Sequence, residues 1–298
     1  MHEVVGRGIK IKKPVQVILI VSLKEMLQDT LREDELAQLR RSFEIIGDIV
    51  IVDIPDELMH VKDEIVDAIL KKHKHVKTIL RKVGEVEGEY RVAAYDIIYG
   101  HQTETIVKEH GCRFLVDPTK VYYSVKLSGE RERVTSLVEK DEIVLVMFAG
   151  VGPYAIIAAR NHDPYQVIGV EANPKAVEYF KRNIELNKVE DKVEAYEGDV
   201  RDIVPLLEDK FDRILMPSPN TAEMFVDVVG EKIKEGGSIH YYTFGGEEEE
   251  EQGTLNQRVK DLFEENGMLV EIEKVRRCGH FAPYVHRYVL DLKVIAFQ

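Results

Sequence analysis

From Ile143 to Ala296 the chain alternates short apolar runs with amphipathic stretches, and this regularity admits few folds. The spacing predicts strands over Ile143–Met147, Gln166–Val170, Val193–Tyr196, Phe211–Met216 and Ser238–Thr243. Helices are predicted over Gly152–Arg160, Pro174–Asn187, Ala222–Lys234 and Leu255–Asn266. Apolar runs of five or six residues between turn residues are what a sheet covered on both faces requires. Pro174 in the first helical turn fits its missing N–H. Strand–helix alternation builds a doubly wound, mostly parallel sheet. The final pair, Leu269–Val275 and Tyr288–Ala296, reads as an antiparallel edge. The expected class is α/β, a Rossmann-type domain.

Such sheets bind ligands over the carboxyl ends of their strands. Three ends here carry suitable chemistry. Met147-Phe148-Ala149-Gly150-Val151-Gly152-Pro153 follows the first strand, with glycines where backbone can approach a ligand. Glu171 ends the second, where a carboxylate can accept both hydroxyls of a ribose. Gly198-Asp199 follows the third, where a carboxylate can meet an adenine amino group, and Met216-Pro217-Ser218-Pro219 follows the fourth. A dinucleotide enzyme shares the first two features. All four together point to S-adenosylmethionine, with Phe148, Gly150, Gly152, Glu171, Asp199 and Pro217 as its expected contacts.

The first half is different. Phe43–Ile54 reads as a strand kinked at Gly47-Asp48, Leu58–His73 as a helix, and Thr78–Lys82 as a strand. Thr103–Val107 and Cys112–Val116 form a hairpin turning at His110-Gly111. The expected division is a small α+β domain over 1–118, with an N-terminal segment 1–21, and a Rossmann-type domain over 119–298. Net charge sharpens this division. The whole chain carries −13, yet Met1–Lys140 holds 23 Lys+Arg against 24 Asp+Glu. The acidity therefore lies in the second half, part of it in Glu247–Glu251, which reads as a solvated loop. A neutral first half can still present a basic face to phosphates, and Lys71, Lys72, Lys74 and Lys77 cluster at a helix end.

Other classes are excluded more simply. No apolar run approaches the roughly 20 residues of a membrane span; Val15–Leu23 reads as a buried strand, and the cytoplasm is the expected location. Cys112 and Cys278, without a CxxC spacing, argue against a zinc site and a disulfide framework, so no metal is expected.

Longer motifs carry a resemblance. Gly88-Glu89-Tyr90-Arg91, Val116-Asp117-Pro118, the stretch Tyr122–Arg131, Met147–Pro153, Asn183–Val189, His240-Tyr241-Tyr242-Thr243 and Ala282-Pro283-Tyr284 span most of the chain. In these segments it resembles the archaeal and eukaryotic tRNA (guanine-37 N1)-methyltransferases and their sister wybutosine-pathway aminocarboxypropyl transferases. The resemblance implies a class I methyltransferase fold, S-adenosylmethionine as cofactor, and the anticodon stem-loop of tRNA as partner to a monomeric enzyme. It implies Glu130 as general base for guanine N1, Arg91 as the stabiliser of charge on O6, and Arg131 as a contact to the flanking nucleotide. Lys126 would pair with the methionine carboxylate. Tyr122, Ser218 and Pro219 would line the base pocket, and Lys72 and Lys74 would meet the RNA backbone.

The chain departs from the methyltransferase pattern at three places. Val146 replaces an acidic residue, Val125-Lys126 replaces Pro-Arg, and Pro217-Ser218-Pro219 replaces Asn-Leu-Pro. Lys cannot reproduce a guanidinium fork, and Pro217 offers no N–H. Methyl transfer to guanosine-37 N1 is the leading expectation. Aminocarboxypropyl transfer at the same position, or a non-catalytic tRNA- or cofactor-binding paralogue, are the alternatives. Ser128 or Gly129 is expected to cap a helix that carries Glu130 in its first turn, where the positive helix end favours a carboxylate.

Overall fold

The computed structural model describes residues 22–40, 42–87 and 92–298. Arg91, the motif around it and residues 1–21 lie outside these, so the strand expected over Val15–Leu23 does too up to Val21; Leu23 opens a helix.

Two short helices, α1 (Leu23–Leu27) and α2 (Glu33–Gln38), precede a four-stranded sheet. Ser22 caps α1 reciprocally with Glu25, each side chain bonding the other's backbone N–H. The sheet is β1 (Glu44–Ile46), β2 (Ile49–Val52), β3 (Thr78–Glu87) and β4 (Val92–Tyr99), in that order. The kinked strand expected over Phe43–Ile54 is instead a tight antiparallel hairpin, β1 against β2. Gly47 at φ +60 turns it so sharply that pairing replaces bending. The helix expected from Leu58 begins as a 3₁₀ turn over Asp56–Val61 and becomes α3 at Lys62–Lys72, whose Ile65, Val66 and Ile69 are buried under the sheet. β4 had no counterpart in the sequence reading.

The hairpin is β5 (Thr105–Glu109) and β6 (Cys112–Val116), with His110 and Gly111 both at positive φ in the turn. Its strands alternate buried and exposed, and Val107, Cys112, Phe114 and Val116 join the core of the larger unit.

That larger unit runs α4 (Ser128–Thr135), β7 (Ile143–Met147), α5 (Pro153–Asn161), β8 (Gln166–Glu171), α6 (Pro174–Asn187) and β9 (Val193–Glu197). It continues with α7 (Val200–Ile203), β10 (Phe211–Met216), α8 (Val226–Lys232), β11 (Ile233–Gly246), α9 (Glu247–Gln252), α10 (Thr254–Glu265), β12 (Met268–Ala282) and β13 (Val285–Phe297). The seven strands lie in the order β12-β13-β11-β10-β7-β8-β9. Those from β11 to β9 are parallel and β13 is antiparallel to both neighbours, the expected doubly wound sheet with an antiparallel edge.

One expectation in this unit fails outright. Glu247–Glu251 is helical rather than loop. Cations and hydroxyls reach the acidic run: Arg277 binds Glu247 and Glu250, Arg258 binds Glu249, and the Tyr288 hydroxyl donates to Glu250. Four acidic residues in the first turn also suit the positive end of the helix.

Candidate active site

The cofactor side is made mainly of backbone. After β7 the chain turns through positive φ at Phe148, Gly150 and Gly152 before α5 begins at Pro153. Gly152 is required: a Cβ there would meet the Phe180 ring at 2.0 Å. At Gly150 a Cβ would meet nothing within 4 Å, so that position faces open space over the strand ends. Glu171, at the end of β8, accepts the Gly150 N–H at 2.7 Å through one oxygen and the Asn173 N–H at 2.8 Å through the other. Burial pushes its carboxyl upward, opposed by these backbone donors. Each oxygen keeps a lone pair, which is the acceptor set two vicinal ribose hydroxyls need.

Asp199 is exposed and caps α7 by accepting the Arg201 N–H at 2.7 Å, leaving its second oxygen free for an amino group. Phe148 packs edge-on against Phe225, and Arg201 lies over Phe225. These residues fit S-adenosylmethionine. Pro217, Ser218 and Pro219 stand half-buried at the end of β10, where the Ser218 hydroxyl is engaged with Thr221 at 2.9 Å. Lys126 is exposed in a 3₁₀ turn and makes no ion pair among the described residues.

Asn183 and Asn187 tie the hairpin to this loop. On α6 they lie one turn apart, close to the two-residue repeat of a strand, and pair with the exposed edge of β6 as a strand would. Asn187 exchanges hydrogen bonds with the Arg113 backbone at 2.8 and 2.7 Å, and Asn183 with Leu115 at 2.7 and 3.1 Å. The Asn183 amide also donates to the Val151 carbonyl at 3.1 Å, inside the cofactor loop.

The opposite side is built from charged side chains. Glu130 is only 5% exposed, although a Glu-Arg-Glu-Arg run on a helix would ordinarily be a solvated face. It sits in the first turn of α4 as expected. The cap is Leu127, however, and the Ser128 hydroxyl bonds His110 instead. Arg133, one turn on, donates to Glu130 Oε1 from Nη2 at 2.8 Å and to both oxygens from Nε at 3.1 Å. The Tyr242 hydroxyl donates to Oε1 at 3.3 Å and itself accepts from Tyr154 at 3.2 Å.

Arg133 also binds Asp291 on β13 at 2.6 and 3.0 Å. Asp291 accepts from His240 Nδ1 at 2.7 Å, and Arg213 donates to His240 Nε2 at 2.8 Å while gripping Glu142 with two 2.8 Å bonds. A guanidinium has no acceptor, so Nε2 must carry the lone pair and Nδ1 the proton. His240 is thus neutral, and burial holds its pKa down against the pull of Asp291. Burial alone would raise Asp291, but the bonds from His240 and Arg133 hold it well below the carboxylate range.

Sequence reading missed Arg133, Arg213, Asp291 and Glu142. A signal existed: Arg213 and Asp291 each interrupt an apolar run in an inner strand, where a charge must be paired to be buried.

Arg131, expected at the flanking nucleotide, lies in the interior. It is 2% exposed, and its guanidinium binds Glu109 at 2.5 and 2.6 Å, stacks over Tyr123 and donates to the Ser124 carbonyl at 3.0 Å. Through Nε and Nη2 this buried guanidinium clamps the hairpin to the segment leading into α4. Tyr122 is half exposed and borders a cavity of about 160 Å³ between the first sheet and Pro118–Tyr123, with Glu44, Lys82 and Tyr95 on its other walls. Lys71, Lys72 and Lys74 are exposed, while Lys77 pairs with Asp48 at 2.8 Å. Among the described residues no helix is long and apolar enough to cross a membrane, and no group of three or more His, Cys, Asp or Glu could hold a metal ion.

Comparison with known proteins agrees with this geometry. Residues 105–272 match the model of the TRM5/TYW2 methyltransferase domain, and residues 23–103 match that of the TYW2 N-terminal domain. The chain is 40% identical to the tRNA (guanine(37)-N(1))-methyltransferase Trm5b of Pyrococcus abyssi, over 85% of this chain and 74% of that one. The crystal structure of P. abyssi Trm5b superimposes with a TM-score of 0.79, at 38% identity over 89% of this chain and 79% of that one. A tRNA(Phe) (4-demethylwyosine(37)-C(7)) aminocarboxypropyltransferase of Methanocaldococcus jannaschii is 35% identical over 84% of this chain and 97% of that one. The structure of M. jannaschii TYW2 in complex with AdoMet matches with a TM-score of 0.66, at 29% identity over 86% of this chain and all of that one.

Proposed function

The chain belongs to the TRM5/TYW2 methyltransferase family, and from that membership we propose that it uses S-adenosylmethionine to methylate N1 of a guanosine at position 37 of tRNA. The observation that carries this reading is Glu130: a carboxylate brought into the interior, oriented by Arg133 and Tyr242, with one oxygen held by a single Arg133 bond and facing a half-exposed arginine beyond it. Bound S-adenosylmethionine supplies a methyl carbon activated by the sulfonium. Glu171 would hold its ribose, Asp199 its adenine, and Lys126 its methionine carboxylate, with Phe148, Gly150, Gly152 and Pro217 around it. Tyr122, Ser218 and Pro219 would enclose the target base, and Glu130 Oε2 would take the N1 proton. Arg91, expected at O6, lies outside the described residues.

The hairpin supports a revised domain division. Its Asn183 and Asn187 bonds and its share of the larger core argue for a junction just before Thr105, ahead of the one expected at residue 118. The first unit would then present Lys72 and Lys74 to the tRNA backbone.

A second reading has its own support. Residues 23–103 match the TYW2 N-terminal domain, and the chain is 35% identical to the aminocarboxypropyltransferase of M. jannaschii. One assay separates them. Unmodified tRNA and tRNA carrying the 4-demethylwyosine precursor are each incubated with protein and S-adenosylmethionine, and the nucleosides are analysed by mass spectrometry. A methylated guanosine supports the first reading. An aminocarboxypropyl adduct on the precursor alone establishes the second, and no adduct on either RNA leaves a binding protein.

A further inference from the structure

The two oxygens of Glu130 are not equivalent. Oε1 is committed to buried partners, Arg133 Nη2 at 2.8 Å and Nε at 3.1 Å and the Tyr242 hydroxyl at 3.3 Å. Oε2 has Arg133 Nε at 3.1 Å and, beyond it, only Arg276 Nε at 3.6 Å, too long for a hydrogen bond. Arg276 comes from β12, its side chain is 48% exposed, and it makes no other ion pair or hydrogen bond among the described residues. A half-exposed guanidinium therefore covers the less committed oxygen of a buried carboxylate.

This pair is the chemical complement of one nucleobase edge. Guanine presents N1–H as a donor directly beside O6 as an acceptor, and a carboxylate oxygen beside a guanidinium answers both. Adenine reverses the pattern, with an acceptor at N1 and an amino donor at position 6, so both contacts would repel it. Arginine is also the usual side chain for guanine O6.

We propose that Arg276 is a further catalytic residue, a second donor to O6 besides the Arg91 expected there: it covers Glu130 Oε2 in the free protein and, when the target guanine enters, moves to the other lone pair of O6 while N1–H bonds Oε2. The inference rests on the reading of Glu130 as the base. In the step, the N1 proton passes to Oε2 and the pair left on N1 forms the new nitrogen–carbon bond as the carbon–sulfur pair returns to sulfur. O6 carries charge only while N1 has lost its proton and not yet gained the methyl group, and a cation already in contact stabilises that charge without rearrangement.

The test is a cycle between side chain and substrate. Single-turnover rates at saturating tRNA and S-adenosylmethionine are measured for the parent, Arg276→Gln and Arg276→Lys, with guanosine or 6-thioguanosine at the target position. Arg276→Gln is expected to lose about a hundredfold on guanosine, the scale of one removed donor to a developing oxyanion, with Lys recovering part of it. Changing oxygen to sulfur, a weak acceptor, should slow the parent severalfold and Arg276→Gln hardly at all. Binding offers a readout independent of turnover: the absorbance of bound 6-thioguanosine should shift in the parent and not in Arg276→Gln.

Equal oxygen-to-sulfur factors in both proteins would overturn the proposal. So would a loss confined to tRNA affinity and its salt dependence, which would make Arg276 a phosphate contact. Glu130→Gln transferring at the parent rate would overturn the reading beneath it and the inference together. An inactive Glu130→Gln beside a fully active Arg276→Gln would remove this inference alone.

Discussion

The two sides of the site are built by opposite means. Around the cofactor loops, function rests on backbone geometry set by neighbours in sequence: three positive-φ residues within five positions, and one carboxylate that ends the adjacent strand. Around Glu130 it rests on side chains from α4, β10, β11 and β13, with Asp291 binding Arg133 across 158 positions. A site made of backbone tolerates changes elsewhere and fails locally. A site made of interlocked buried charges transmits any change through the network, because each member compensates the desolvation of the next.

The largest expected effect breaks that asymmetry at its strongest point. Asp291→Ala leaves Arg133 and His240 buried without their shared acceptor, and should destabilise the fold by about 3–5 kcal/mol. Urea unfolding measures it. Glu171→Ala is the matched change on the other side. It should weaken S-adenosylmethionine binding at least tenfold, about 1.4 kcal/mol for a lost hydrogen-bonded carboxylate, with much less effect on stability. If both variants lose stability equally, or calorimetry finds cofactor affinity unchanged in Glu171→Ala, the contrast between the two sides is wrong.

What could be read from sequence follows the same line. The strands β7, β8, β9 and β10 lie where the sequence placed them to within a residue, most plainly β7, which is covered on both faces and advertises itself as an unbroken apolar run. Glu171 was legible for the related reason that its position at a strand end is a local property. The partners of Glu130 were not. Arg133 in a Glu-Arg-Glu-Arg run is indistinguishable from a solvated residue until Asp291 is brought to it by the antiparallel return of β13. Arg131 is a second case: nothing in the local pattern announces its partner Glu109, which only the hairpin places beneath it. The hairpin at Gly47 and the helix at Glu247–Glu251 were missed because pairing partners, not local pattern, decided them.

The neutral state of His240 gives a smaller effect with a definite sign. Its folded pKa lies below the ordinary imidazole value of 6.5, so below that pH the unfolded chain binds a proton that the native protein refuses. Stability therefore falls as pH drops through about 6.5, by at most about 1.4 kcal/mol per pH unit for this one group. Asp291, whose pKa is also lowered, adds a further loss only below its ordinary value of 3.8. His240→Gln can still donate to Asp291 and accept from Arg213, yet does not titrate. Between pH 7.5 and 5.5 the parent should lose about 1 kcal/mol more than this variant. Identical losses in the two proteins would mean that folding leaves the His240 pKa unshifted, and a smaller loss in the parent would mean that His240 is protonated in the fold and that the tautomer deduced from Arg213 is wrong.

The smallest expected effect tests whether the first unit meets RNA at all, and its internal control comes from the structure. Lys72 and Lys74 are exposed at the end of α3, free to exchange condensed counterions for contacts with phosphates, whereas Lys77 already pairs with Asp48 at 2.8 Å. Each phosphate contact contributes about 0.7–0.9 to the slope of log affinity against log salt. Lys72→Ala with Lys74→Ala should therefore weaken tRNA binding severalfold, alike for every tRNA sequence, and flatten the slope by about 1.5. Lys77→Ala should change the slope by less than half a contact, because its counter-charge is supplied by the protein. The alternative assignment for the cluster is compensation of the negative end of α3, worth a few tenths of a kcal/mol to stability. Under that assignment the double variant would melt earlier while its salt slope matched the parent. A slope that flattens without a change in melting places the cluster on the RNA.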